Sequence, residues 1–255
     1  MMESLILGIV EGITEFLPIS STGHLILTGK VLGLAQTDFL KSFDIAIQLG
    51  AILSVVFLYW RSLIIKHDVL KKVMAAFIPT AFLGLLFYKA IKKTLMQNEA
   101  VVLWALFIGG IFLIIFELLY RQKENAVDNI SDISYIQCIA IGLFQSVAFI
   151  PGVSRAAATI IGGLILGLKR KTIVEFSFLL AVPTMLAATG LDLLKSANCF
   201  STGQFMFILT GLLTSFFVAM ISIKFLLYFI KNHNFIPFGI YRIALAVIFF
   251  LMFMR

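Results

Sequence analysis

The residues able to do chemistry fall in two short stretches set within apolar runs. The first, Glu11 to His24, reads EGITEFLPISSTGH, with two carboxylates, four hydroxyls and an imidazole. Glu11 and Glu15 are four apart and so share one face of a helix. Buried in a membrane, each carboxylate costs roughly 2.5–3.5 kcal/mol on insertion scales, so the pair calls for a cation or a proton. Two oxygen-donor side chains suit a hard divalent ion, Mg²⁺ or Ca²⁺, with Glu11 and Glu15 as its ligands. Ser20, Ser21, Thr22 and Gly23 follow Pro18, where a new helix can begin. A helix start offers free amides and a partial positive charge, a match for phosphate. His24, three residues past Ser21, can take a proton from a serine or give one to a leaving group.

The second stretch, Gln145 to Thr159, reads QSVAFIPGVSRAAAT and repeats the design without the acids. Gly152 and Ser154 lead into another helix start, and Arg155 brings a guanidinium that can grip phosphate oxygens with two parallel bonds. Thr159, four residues on, adds a hydroxyl on the same face. Gln48 and Asp44, four apart at the start of a span, are further candidates, either to line the pocket or to bond between helices. Gln145 reads as a bridge between helices, and Arg242 as a structural or interfacial arginine. The small pairs Gly109-Gly110, Gly162-Gly163 and Ala187-Ala188 read as close helix packing.

These stretches need a scaffold, and composition names it. The chain has 255 residues, 61% hydrophobic and only 13% charged. Runs of about 20 apolar residues recur throughout, the mark of an all-α polytopic membrane protein. Residues 1–17 predict a helix ended by Pro18, followed by a second from Ser20 or Ser21 to about Val31 or Leu34. That second piece is too short to span, so a re-entrant helix-break-helix hairpin is expected. Spans follow at about 44–61, 73–93 and 100–120. After the polar stretch Arg121 to Ser134 comes a second broken pair, about 136–149 and 154–168, and then spans at about 172–194, 205–229 and 236–254. The reading is six transmembrane helices plus two re-entrant hairpins in one integral membrane domain, 1–255. An odd number of spans per half inverts one half relative to the other, giving inverted-topology repeats of about 1–120 and 136–255. EFLPISST and AFIPGVSR align, with Pro18 on Pro151 and Ser21 on Ser154.

The net charge of +7 follows from cationic loops beside anionic lipid, and no basic-aromatic surface remains for nucleic acid. Eleven lysines and arginines fall on the side of Arg61, Arg121 and Lys169, against seven on the side of Lys30 and Lys89, which makes the former cytoplasmic. The first hairpin then opens to the outside. Cys138 and Cys199 read as free thiols. The N-terminus is a poor cleavable signal, since it lacks a cationic start and carries Glu11 and Glu15 in its apolar core.

Over essentially its full length the chain resembles the undecaprenyl-pyrophosphate phosphatases of the bacitracin-resistance type. EGITEFLPISSTGHL carries that family's first signature and PGVSRAAAT its second, with FDIAIQLGAIL and FSFLLAVPTM also similar. Ala156 departs from the family pattern, which usually has serine there. The resemblance implies hydrolysis of undecaprenyl diphosphate to undecaprenyl phosphate and phosphate by a divalent-cation-dependent phosphoric anhydride hydrolase. That reaction recycles the lipid carrier for peptidoglycan, hence cell-wall biogenesis, cell shape and bacitracin resistance. It also implies a multi-pass protein of the bacterial cytoplasmic (inner) membrane, with its site open to the periplasm or exterior. The implied partners are the polyprenyl substrate and membrane lipids, with a homodimer a possible assembly.

The expected mechanism has Ser21 attack the terminal phosphorus, activated by His24. Glu11 and Glu15 hold the metal on the diphosphate, or one of them serves as base. Arg155 and the two helix starts neutralise charge on the phosphoryl oxygens. Direct attack by water, with Ser21 only binding phosphate, is the internal alternative. A lipid flippase or transporter is the rival from another class, because inverted repeats with broken helices serve transport too. A non-catalytic scaffold would leave the acids and His24 without a role.

Overall fold

The computed structural model describes residues 1–35, 37–90, 99–196 and 204–253. Among the described residues ten α-helices run in the order α1 (Met2–Thr14), α2 (Ser21–Val31), α3 (Asp38–Ile64), α4 (His67–Ala90), α5 (Glu99–Leu119), α6 (Tyr135–Gln145), α7 (Arg155–Ile165), α8 (Arg170–Ser196), α9 (Phe205–Phe229) and α10 (Ile236–Phe253). No strand occurs among the described residues; one parallel bridge joins Val127 to Leu168. Helices α3, α4, α5, α8, α9 and α10 are long and apolar enough to cross a membrane. The chain is therefore a multi-pass membrane protein. The four short helices have 11 to 13 residues each. At 1.5 Å per residue they cover roughly 16–20 Å, well under the ~30 Å of a bilayer core.

The first break comes earlier than the hydrophobic run predicts, because Pro18 has no amide to give the Thr14 carbonyl four residues back. Helix α1 stops there, and turns carry the chain from Glu15 to Ile19. In the second break α6 ends at Gln145, a 3₁₀ turn covers Ser146–Phe149, and Gly152 adopts φ +94°. A Cβ at Gly152 would lie 2.6 Å from the Val102 carbonyl of α5, so only glycine fits both the conformation and the space.

Helices α3 and α8 form the centre: 50% and 61% of their spanning windows are buried, against 28–33% for the four outer spans. Helix α1 lies on α9 and α6 on α4; α3 lies on α9 and α8 on α4; α3 meets α8, and α5 meets α10. Exchanging the first five helices for the last five maps each of these pairs onto another or onto itself. Glycines let the short helices sit close. A Cβ on Gly8 or Gly12 would meet the α9 backbone at Gly211 or Ser215, and one on Gly142 would collide with the Ala76 carbonyl of α4.

Of the small pairs, Gly109-Gly110 packs on α10, and Gly162-Gly163 packs on Phe144 and Ile173. Ala187-Ala188 does not pack: both residues are exposed, and Ala188 faces a cavity. Lys169, Arg170, Lys171 and Lys231 share one basin at one end of the bundle, where Arg170 pairs with the buried Glu117. Lys30 sits over the Phe253 ring. Lys92, Lys93, Arg255 and Cys199 fall outside the described residues, as do the side chains of Lys41, Lys89 and Lys195.

Candidate active site where the two breaks meet

Each break feeds a helix whose first turn is capped by a serine. Ser20, at φ 72°, accepts from the Gly23 amide at 3.4 Å. Ser154 accepts from the Ala157 amide at 3.1 Å. A left-handed serine is sparsely populated and persists only where its surroundings fix it. Here the Ser20 carbonyl is held by the His24 amide at 3.2 Å and by His24 Nδ1 at 2.7 Å. With Ser20 used as the cap, Ser21 becomes the first residue of α2 and its hydroxyl is free of the backbone.

That hydroxyl donates to Glu15 Oε2 at 2.5 Å. The other oxygen of the same carboxylate, Oε1, takes Arg155 Nη2 at 3.1 Å, which joins the two halves of the chain through one buried ion pair. Arg155 is aimed from behind: Nη1 donates to the Ser177 carbonyl of α8 at 2.9 Å, and the guanidinium lies over the Phe16 ring. The Ser154 hydroxyl also reaches the Leu17 carbonyl at 3.5 Å, a second tie between the breaks.

Over this junction lies a cavity of about 170 Å³. Glu15, Ser20, Ser21, Thr22, Gln48, Gly152, Ser154 and Arg155 line it, with Ala148, Ile150, Pro151, Val153, Thr184, Met185 and Ala188. Two helix N-termini, one guanidinium and several hydroxyls thus converge on one small space, a setting for a phosphorylated headgroup.

Four predicted residues stand elsewhere. Glu11 is fully buried one turn behind Glu15. His24 does not reach Ser21, since its Nδ1 is on the Ser20 carbonyl and its Nε2 on the Tyr241 hydroxyl at 2.8 Å. Gly23 serves the cap rather than the cavity wall, packed near Leu106 and Val102 of α5. Thr159 is wholly buried behind Arg155, its hydroxyl shared by the Arg155 and Ala156 carbonyls and by Ser177 Oγ at 2.6 Å.

Sequence reasoning missed Ser177, Thr184 and Tyr241. Thr184 follows Pro183 within a span, a local signal for an irregular helix that could have drawn attention to it. Gln145 does bridge helices, donating to Thr80 of α4 at 2.9 Å and to Thr184 of α8 at 3.1 Å.

Both carboxylate oxygens of Glu11 are buried without a hydrogen-bond partner. The charges acting on it are Glu15 and Asp44, opposed by Arg155. An orphaned carboxylate beside a second one fits a hard cation. Among the described residues no cluster of three or more His, Cys, Asp or Glu could hold a metal.

Residues 4–248 match the protein family described as bacitracin resistance protein BacA. The chain is similar to proteins named undecaprenyl-diphosphatase. It is 53% identical to that of Persephonella marina, over 98% of both chains. Against that of Aquifex aeolicus it is 50% identical over 97% of this chain and 96% of the other. For that of Methanococcus aeolicus the figure is 42%, over 100% of this chain and 99% of the other.

Proposed function

This chain belongs to the bacitracin resistance protein BacA family, and from that premise we propose that it hydrolyses undecaprenyl diphosphate to undecaprenyl phosphate and inorganic phosphate. The reaction recycles the lipid carrier of peptidoglycan synthesis and accounts for an association with bacitracin resistance. The observation that carries the assignment is the Ser21–Glu15–Arg155 chain in the cavity, at 2.5 and 3.1 Å.

Glu15 Oε2 takes the Ser21 proton as Oγ attacks the terminal phosphorus. The bond from that phosphorus to the bridging oxygen breaks, and undecaprenyl phosphate leaves. Water then attacks the phosphoserine: its oxygen bonds the phosphorus, the Ser21 oxygen leaves with the proton held on Glu15, and phosphate departs carrying the protons of the water. Arg155 turns from Glu15 to the phosphoryl oxygens, where charge develops, and the amides at the starts of α2 and α7 share it. Glu15 replaces His24 as the base because it is the group that Ser21 touches; His24 instead holds the strained Ser20 carbonyl. Glu11, with Glu15, would hold a divalent cation, Mg²⁺ or Ca²⁺, which when bound lowers the charge on the diphosphate. Ser20, Thr22, Gly152, Ser154 and Gln48 form the walls of the phosphate site.

The protein lies in the bacterial cytoplasmic membrane as two inverted repeats, a reading that the exchange-related helix contacts support. The cavity opens to the outside. Ala188 on its rim is about five turns along α8 from Arg170, some 27 Å from the lysine-rich end. Thiol labelling of cysteines placed at Thr37 and Arg61, both exposed, tests this: the first should react from outside and the second only after lysis.

The assay for the function is metal-dependent phosphate release from a polyprenyl diphosphate by the purified protein, with trapping of a phosphorylated Ser21. Substantial turnover in Ser21→Ala would rule out the phosphoserine route. Counterflow of lipid without phosphate release would replace the enzyme with a transporter.

A further inference from the structure

Arg242 of α10 is among the largest fully buried side chains of the described residues, only 1% exposed. Among the described residues no carboxylate pairs with it. Its guanidinium instead meets four backbone carbonyls from three separate segments. Nη1 reaches Pro18 in the first break at 3.4 Å, and Nη2 reaches Gly152 in the second at 3.0 Å. Nη2 also bonds Ala105 at 2.9 Å, and Nε bonds Leu106 at 3.4 Å, both on α5.

A breach in a helix leaves carbonyls without amide partners, and in hydrocarbon each such group costs several kcal/mol. One planar, five-donor group satisfies a carbonyl of each break and two of α5 at once, four acceptors where a lysine has only its three donors. Helix α5 is shaped for this contact: a Cβ on Gly109 would collide with Nη2, and one on Gly110 would lie 2.7 Å from the Gly239 carbonyl of α10. The Gly109-Gly110 pair therefore admits the guanidinium as well as the helix. Arg242 also adjoins Tyr241, which holds His24 and through it the Ser20 carbonyl.

We infer that Arg242 is the positioning residue of the site: one buried guanidinium that ties the Pro18 and Gly152 carbonyls together and so fixes the distance between Ser21 with Glu15 on one half of the chain and Arg155 on the other. This rests on the phosphatase reading of the cavity. It assigns to the last span a part in catalysis without contact with substrate.

The test uses Arg242→Lys and Gly109→Ala in the full-length protein, with phosphate release from a polyprenyl diphosphate measured per folded molecule. Gly109→Ala keeps the arginine but forces it off its seat, so it guards against a folding defect peculiar to the lysine variant. A misplacement of about 1 Å between reacting groups can cost on the order of a hundredfold in rate. The expected result is a fall in kcat of that order for Arg242→Lys and a smaller fall for Gly109→Ala, with KM changed less than about threefold in both. In an Arg155→Lys background the Arg242→Lys loss should shrink to a few-fold, because the group being positioned is already changed. Unchanged kcat per folded molecule in both variants overturns the inference, and so does a loss that is fully additive with Arg155→Lys. A wild-type protein that releases no phosphate overturns the phosphatase reading itself, a separate outcome.

Discussion

In the first break Ser20 caps α2 through the Gly23 amide, and in the second Ser154 caps α7 through the Ala157 amide. The next residue opens the helix in each: Ser21 in one, Arg155 in the other. The same backbone device therefore presents a nucleophile from one half of the chain and a cation from the other. Both meet on Glu15. The halves differ in spacing as well. One residue separates Pro18 from its cap, and two separate Pro151 from its cap, the extra residue being accommodated by the left-handed turn at Gly152. The alignment of Ser21 with Ser154 is thus displaced by one in space: Ser20 matches Ser154, and Ser21 matches Arg155.

The strongest challenge to this equivalence is to replace the two serines of the first break one at a time. Ser21→Ala removes the attacking oxygen and should lower phosphate release by about a thousandfold or more. Ser20→Ala removes a cap and one hydroxyl of the cavity wall but not the attacking oxygen, at about 1 kcal/mol of stability. Its turnover should stay within about tenfold of the parent, with a lower midpoint of thermal unfolding in detergent. If Ser20→Ala were the inactive variant and Ser21→Ala the destabilised one, the off-by-one match would be wrong.

The cationic half can be probed through the pair it makes. Arg155→Ala leaves Glu15, 6% exposed, without its cation, and removing one partner of a buried pair costs about 3 kcal/mol. Glu15→Gln in the same chain should restore most of that stability while leaving the protein inactive. Thermal unfolding of the single and double variants measures it. Arg155→Lys should be milder, losing the forked contact to Glu15 and the Ser177 carbonyl, with KM raised by tenfold or so.

Much of this architecture was legible in the residues. The apolar runs placed all six spans, and Pro18 and Pro151 marked both breaks, because a missing amide is a local fact of sequence. Glu15, Ser20, Ser21, Thr22, Gln48, Gly152, Ser154 and Arg155, each singled out by its type and its place beside a break or a span start, line one cavity. What escaped was the choice between neighbours. Ser20 and Ser21 are equally good caps by type, and only the left-handed backbone at Ser20, fixed by His24, decides between them. His24 looked like the base because it lies three residues from Ser21. Its true partner, Tyr241, is 217 residues away, a relation no local spacing encodes. Thr159 shares a helix face with Arg155, but that side of α7 near Thr159 turns to Ser177 and the core rather than to the cavity.

Between the breaks and their supports, a contact one step removed should matter less. Gln145 is where the second break is tied to α4 and α8, through Thr80 and Thr184. Gln145→Leu strands no charge but loses two bonds between buried groups, worth about 1 kcal/mol each. The unfolding midpoint should drop, while turnover per folded molecule falls only a few-fold.

The smallest effect is expected where this chain departs from its family's pattern. Ala156 is 1% exposed, lies in the first turn of α7 next to Arg155, and packs in the main apolar core rather than on the cavity. A serine there would bring a hydroxyl that can bond back to the Gly152 or Val153 carbonyl, as helical serines do. Gly152 already accepts from Arg242 and has a second lone pair to offer. Ala156→Ser should therefore shift stability by no more than about 1 kcal/mol and turnover by less than about threefold. A tenfold gain in phosphate release would mean that this hydroxyl reaches the phosphate. The second break would then contribute a hydroxyl as well as a cation, and the division of chemistry between the halves would be less complete than the contacts around Glu15 indicate.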